Sequence, residues 1–266
     1  MRARKVTTAV LALVVGLTVV ACGSSPQPVQ PPPGVAFDYQ LGGDYALPEG
    51  VELVVRQWSE GYGEDAAYSV CYVNAFQTEA PAGHPDSAMN WPEGLVWDEV
   101  EDPEWPGEHP IDISTNRLRR TAIEFVTDRF QECVARGFDA VELDNLDTFT
   151  RYPEAPFDRD DAIAYARLLV EAATELGLAV GQKNTPELLD VARTEIGFGF
   201  AVVEECGQFD ECQAYVDTYE GRVYDVEYTE AGLAAACEAI GEVAGVVQRD
   251  LGLVTPDDPA YVHATC

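Results

Sequence analysis

Basic residues are scarce in this chain. Lys and Arg number 16 against 47 Asp and Glu, a formal net charge of −31. Nucleic acid is held by dense Lys and Arg contacts, so it is a poor partner here. Histidine is scarcer still, with only His84, His109 and His263. That argues against a barrel metallohydrolase built on several imidazole ligands. No C-x-x-C pair exists, which disfavours a structural zinc site. There is no G-x-S-x-G elbow, no P-loop and no G-x-G-x-x-G after a strand, so three common catalytic frameworks are missing. No cofactor is implied. Beyond residue 35 there is no Pro/Gly/Ser-rich linker and no internal repeat, so residues 36–266 read as one domain.

The N-terminus reads as an export signal. Met1-Arg2-Ala3-Arg4-Lys5 is a positive start, and Val6 to Val20 is an apolar run too short for a spanning helix. Val19-Val20-Ala21-Cys22 then reads as a lipobox, which makes residues 1–21 a lipoprotein signal peptide and Cys22 the lipidated residue; a plain signal peptide ending near Ala21 is the alternative reading. Residues 22–35 contain "GSSPQPVQPPPG" and are expected to form an extended, unfolded tether. The expected location is the extracytoplasmic face of a membrane, reached through the lipid on Cys22. A monomer is expected. With the signal removed the charge becomes more negative still. That excess suits a cationic ligand, or simply a solvated surface.

Six further cysteines remain: Cys71, Cys133, Cys206, Cys212, Cys237 and Cys266. An even count in an exported chain points to disulfides. Cys206 and Cys212 are close enough to staple a local turn. Cys237 and Cys266 would pin the C-terminus, which leaves Cys71 with Cys133. Sequence alone leaves other connectivities open.

Short β-branched and aromatic runs alternate with helical patterns, the signature of βα units around a parallel sheet. Strands are expected near residues 53–58, 68–74, 110–114, 138–145, 178–184, 198–204, 222–228 and 245–250. That set matches an α/β (β/α)8 TIM barrel. Helices are expected after Asn116 and after Asp158, with Gly137 and Gly177 as stops. Two more should open at Thr185-Pro186 and at Thr229. Residues 78–107 carry no period and hold Trp91, Trp97 and Trp105; they read as a long loop of functional interest, or as a cap on the barrel.

The expected strands end in polar residues. Asp112 lies in the third; Glu142, Asp144, Asn145 and Asp147 end the fourth; Lys183 and Asn184 the fifth; Glu204 and Glu205 the sixth; Glu227 and Tyr228 the seventh. Barrel active sites gather at the C-terminal strand ends, so these should converge on one mouth. Any one of them alone reads equally well as a helix cap or a loop ion pair. Many carboxylates, few bases and loop tryptophans suit sugar hydrolysis, in which one acid protonates the leaving oxygen and a second attacks or activates water. Crowding separates the two acids' proton affinities. Asp112, Glu142, Asn145, Asp147, Lys183, Asn184, Glu227, Tyr228, Tyr72 and Trp105 are the candidate sugar-binding residues. A calcium cage of Glu142, Asp144 and Asp147 is the alternative reading of the same acids.

"GFDAVELDNLD", "LAVGQKN", "FAVVEECGQFDEC" and "VYDVEY" resemble, in order and spacing, glycoside hydrolase family 114. "CYVNAF", "WPGEHPIDIS" and "FDYQLGG" extend the resemblance over Phe37 to Tyr228. The resemblance implies a (β/α)8 barrel that cleaves α-1,4-linked galactosamine-containing polysaccharide. It also implies that Asp144 and Glu204 are the catalytic pair. Val203 and Glu205 stand where the family usually has Asn and Gln, and Phe76 where it usually has Gly. Those departures motivate the alternative of a barrel that binds polysaccharide without cleaving it.

Overall fold

The structure is a computed structural model that describes residues 27–80 and 84–266. The signal segment and Cys22 lie outside the described residues. Nine strands form one sheet in chain order: β1 (Phe37–Gln40), β2 (Leu53–Gln57), β3 (Tyr68–Asn74), β4 (Ala140–Asp144), β5 (Ala179–Lys183), β6 (Phe200–Glu204), β7 (Val223–Glu227), β8 (Gly245–Arg249) and β9 (His263–Thr265). The first eight run parallel and curl into the (β/α)8 barrel; β9 adds antiparallel to β8. Seven of the expected strands are present. The expected strand at 110–114 is not one: Pro110 and Ile111 make only isolated bridges to Gln77 and Val96. The barrel's first strand is instead Phe37–Gln40.

Alternation along the strands fixes what faces the axis. Phe37, Tyr39, Val55, Val70, Phe200 and Val226 belong to the inner core. Cys71, Val73, Val141, Leu143 and Val203 face the helices. A side chain on Gly181 would collide with the Phe200 ring at 2.4 Å, so β5 needs glycine where that ring crosses.

Helix α1 (Asn116–Ala135) buries Leu118, Ala122, Val126, Phe130 and Cys133 at helical spacing, and Thr115 caps it by accepting from the Leu118 amide. A four-residue α2 (Thr148–Arg151) follows β4. Helix α3 (Arg159–Glu175) starts with a capping box between Asp158 and Asp161. Between β5 and β6 the expected helix is replaced by a 3-10 turn, Pro186–Leu188, and a π-helical turn, Ala192–Ile196; Thr185 makes no side-chain cap. After β6 come α4 (Cys206–Phe209) and α5 (Cys212–Tyr219), and α6 (Glu230–Ile240) precedes β8. None of the described helices is long and apolar enough to cross a membrane.

The three disulfides are Cys71–Cys133, Cys206–Cys212 and Cys237–Cys266. The first ties β3 to α1, the second closes the turn after β6, and the third holds β9 to α6.

Over its described residues the expected tether is docked rather than free. From Gln27 onward it lies across the base of the barrel, at the N-terminal ends of the strands. Pro31 is buried. The Tyr68 hydroxyl donates to the Val29 carbonyl at 2.7 Å and the Tyr224 hydroxyl to the Pro32 carbonyl at 2.6 Å. Gly199 leaves room for the Gln30 side chain.

Candidate active site

At the opposite end of the barrel the inner faces of six strands meet. Ala140, Glu142 and Asp144 share the inner face of β4, so the two acids rise in file along the axis. Glu142 has 0% side-chain exposure, whereas Asp144 has 18% and Glu204 26%. Only the upper pair can therefore touch a ligand in the cleft. Lys183 stands between them. Its Nζ lies 2.9 Å from Glu142 Oε1, 3.5 Å from Asp144 Oδ1 and 3.3 Å from Glu204 Oε2. It also donates to the Tyr39 hydroxyl at 2.9 Å, which in turn donates to Glu142.

Each upper acid has its own set of donors. Asp144 accepts from the Tyr72 hydroxyl at 2.6 Å and the Asn145 amide at 2.7 Å. Glu204 accepts from Asn184 Nδ2 at 3.2 Å and from the Tyr228 hydroxyl. Asn184 Oδ1 takes the Glu204 amide in return. Asn145 and Asn184 sit at positive φ, a conformation asparagine tolerates, and so turn the chain sharply just past each strand.

Burial pushes the Asp144 carboxyl up, but Lys183, Tyr72, the Asn145 amide and Arg151 outweigh it and hold the group below the usual Asp range. Burial likewise pushes Glu142 up to about 7 despite Lys183. Desolvation weakens the grip of Lys183 on its proton, yet Asp144, Glu142 and Glu204 reverse this and keep it charged. Burial and Glu204 raise the Tyr228 hydroxyl well above its ordinary value, so it stays a donor.

These groups floor a cavity of about 530 Å³. Of the sequence-expected residues, Tyr72, Trp105, Asp144, Asn145, Asp147, Lys183, Asn184, Glu204 and Tyr228 line it. Trp105 is exposed at 59% on the arm that follows β3. Glu142 lies beneath the floor and supports Lys183. Two expected sugar ligands are elsewhere. Asp112 accepts from the Ser114 amide in the turn before α1, because its segment is not a barrel strand. Glu227 points outward from β7 and accepts from the Gly207 amide at 2.6 Å. The acids do not form a calcium cage either: Asp147 pairs with Arg151 at 3.1 Å, and an ammonium stands between the other two. The site also uses residues the sequence reading passed over. Tyr39, Glu79 and Arg151 line the cleft, as does the Leu251–Leu253 turn after β8. Arg151 was detectable as the i,i+4 partner of Asp147 on a short helix.

None of the three departures from the family pattern lines the cavity. Val203 packs among the helices. Phe76 is fully buried against Tyr165, ring centroids 5.1 Å apart. Glu205 does not line the cleft.

A (β/α)8 barrel with a carboxylate-rich cleft at its C-terminal strand ends belongs to the class of barrel glycosidases. The sequence profile of glycoside-hydrolase family GH114 matches residues 20–266, and the chain belongs to that family. It is a glycoside hydrolase. Its fold is similar to that of Ega3 from Aspergillus fumigatus, solved in complex with galactosamine. The TM-score is 0.75 at 21% identity, over 91% of this chain and 99% of that one. The glycoside hydrolase domain of PelA from Pseudomonas aeruginosa is similar at TM-score 0.56 and 16% identity, over 86% of this chain and 97% of that one. No curated protein matches the chain by sequence.

Proposed function

We propose that this chain is an exported, lipid-anchored hydrolase of α-1,4-linked galactosamine-containing polysaccharide, with Asp144 and Glu204 as the reacting carboxylates. The observation that carries the reading is the shared ammonium: both acids reach the cavity and both lie within 3.5 Å of Lys183 Nζ. Their nearest oxygens are then at most about 7 Å apart, which favours the short separation of retaining enzymes over the wider one of inverting enzymes.

Asp144 is the nucleophile. Its charge is held by Tyr72, the Asn145 amide and Lys183, and it attacks the anomeric carbon as the bond to the leaving oxygen breaks. Glu204 gives that oxygen its proton. Glu204 then takes a proton from water, the water oxygen bonds to the anomeric carbon, and the Asp144 ester bond breaks. Trp105 offers an aromatic face to a sugar ring. Asn145, Asp147, Asn184 and Tyr228 offer polar contacts to hydroxyls and amines. The acidic cleft suits a partly deacetylated, cationic polymer, and the galactosamine held by Ega3 supports that choice. The outward placement of Val203 and Phe76 weighs against a purely binding role.

The test is product analysis after incubation with partly deacetylated α-1,4-galactosaminogalactan. Short galactosamine oligomers are expected from the wild type and none from Asp144→Asn/Glu204→Gln. Equal turnover by the double variant would remove the pair from the chemistry. The α-anomer as first product would support retention; the β-anomer would show inversion.

A further inference from the structure

Asp225 and Glu227 form a second concentration of buried acid, outside the cleft. Both are fully buried. Tyr224 and Val226 occupy the inner face of β7, so alternation sends these two outward. Neither carboxylate forms an ion pair among the described residues, and the largest influences on each are burial, other acids and hydrogen bonds. Two bare carboxylates there would be costly, and a neutral amide would be cheaper. Burial raises both carboxyls, and the second oxygen of each, Asp225 Oδ2 and Glu227 Oε2, has no hydrogen-bond partner among the described residues.

What the pair holds is specific. Asp225 Oδ1 accepts the Cys206 amide at 3.2 Å and Glu227 Oε1 accepts the Gly207 amide at 2.6 Å. These are the amides just beyond Glu204 and Glu205. Between them and the strand, Glu205 sits at φ 58, a left-handed conformation that a long side chain disfavours. The Glu205 amide itself donates to the Val226 carbonyl at 2.9 Å. On the inner side, Tyr228 donates to the Glu204 carboxylate.

We infer that Asp225 and Glu227 are positioning residues for Glu204, clamping the outer side of its turn through the Cys206 and Gly207 amides while Tyr228 clamps the inner side. The inference rests on the assignment of Glu204 to the chemistry. A positioning error of about 1 Å costs on the order of 100-fold in rate, so a clamp of this kind acts on kcat.

Steady-state kinetics on the deacetylated polymer test it. Glu227→Ala is expected to lose roughly 10- to 100-fold in kcat with KM nearly unchanged. Glu227→Gln keeps an acceptor for the Gly207 amide and is expected to recover most of that loss. A raised KM with kcat intact would put Glu227 on the sugar and overturn the inference, as would full activity of the alanine variant. Amide exchange in the wild type covers the case in which alanine prevents folding. The Cys206 and Gly207 amides are expected to be strongly protected, and free exchange there would overturn the clamp. A Glu204→Gln variant that hydrolyses at the wild-type rate would overturn the catalytic reading instead, recognisable because the amide protection would persist.

Discussion

Lys183 has three carboxylates within 3.5 Å of its nitrogen and almost no solvent. A cation so placed stabilises the acids around it, and they stabilise its charge in return. Removing it leaves buried negative charge uncompensated, which typically costs about 3–5 kcal/mol. Lys183→Met is therefore expected to unfold at much lower denaturant than wild type, and Lys183→Met/Glu142→Gln to recover part of the loss. Equal midpoints for the single and double variants would sink the hub. Glu79 gives the pH dependence. It is 6% exposed, and burial together with Asp86 and Glu108 pushes its carboxyl from 4.5 up to about 8. The folded state thus holds this proton more tightly than the unfolded one. The stabilisation is complete below pH 4.5 and is lost as pH rises toward 8, a decline on the order of a few kcal/mol. Glu79→Gln should flatten that decline when unfolding free energies at pH 5 and pH 8 are compared. An unchanged slope would mean that other acids cause it.

The C-terminal strand joins the fold to the site. β9 is held by its ladder to β8, by the Cys237–Cys266 bond and by Arg249, whose Nε donates to the Val262 carbonyl at 3.0 Å. The Leu251–Leu253 turn between β8 and β9 lines the cleft. Replacing both cysteines by alanine removes a cross-link across a separation of 29 residues, for which about 2–4 kcal/mol is typical. The expected result is a lower unfolding midpoint and a higher KM with kcat retained, because the turn touches the cleft but neither reacting acid. A KM equal to wild type would separate the turn from substrate binding. Elements of this kind divide what the sequence discloses from what it hides. The helix expected after Asn116 and the strand expected at 138–145 were legible, because hydrophobic period and stop signals are local. β1 was not. Its four residues include Asp38 and Gln40, which look solvent-facing until Arg249, 211 positions away, pairs with Asp38 at 3.0 Å. The segment at 110–114 has strand-like composition but no neighbour to pair with along its length. Glu227 was misplaced by the parity of one residue, since a strand sends consecutive side chains to opposite faces. Asp144 and Glu204 were visible as strand-end acids, but their common ammonium depends on a strand between them that only the closed sheet positions.

At the scale of the whole molecule, the base and the mouth of the barrel are opposite ends, and the N-terminal segment belongs to the base. If Cys22 carries lipid, the stretch from Cys22 to Gln27 reaches at most roughly 18 Å when fully extended. The docked residues beyond it then act as a stand rather than a leash: the base faces the bilayer and the cleft faces away, toward polymer outside. The net charge, already −31 for the full chain and more negative once Arg2, Arg4 and Lys5 leave with the signal, works in the same direction, since an acidic domain is not drawn down onto anionic lipid. The stand depends on contacts that can be removed. Two tyrosine hydroxyls bond the carbonyls of Val29 and Pro32, and Pro31 is buried. Hydrogen bonds of this kind are worth about 1 kcal/mol each, and burying a small apolar side chain adds a similar amount. A chain starting at Pro33 should therefore be about 2–3 kcal/mol less stable than one starting at Gln27. Tyr68→Phe/Tyr224→Phe in the longer chain should lose the two hydroxyl contributions, about 2 kcal/mol, and so reproduce most of that difference. Urea unfolding of the three proteins decides it. Coincident curves would mean that the segment hangs free in solution, and the lipid would then hold the barrel without orienting its mouth.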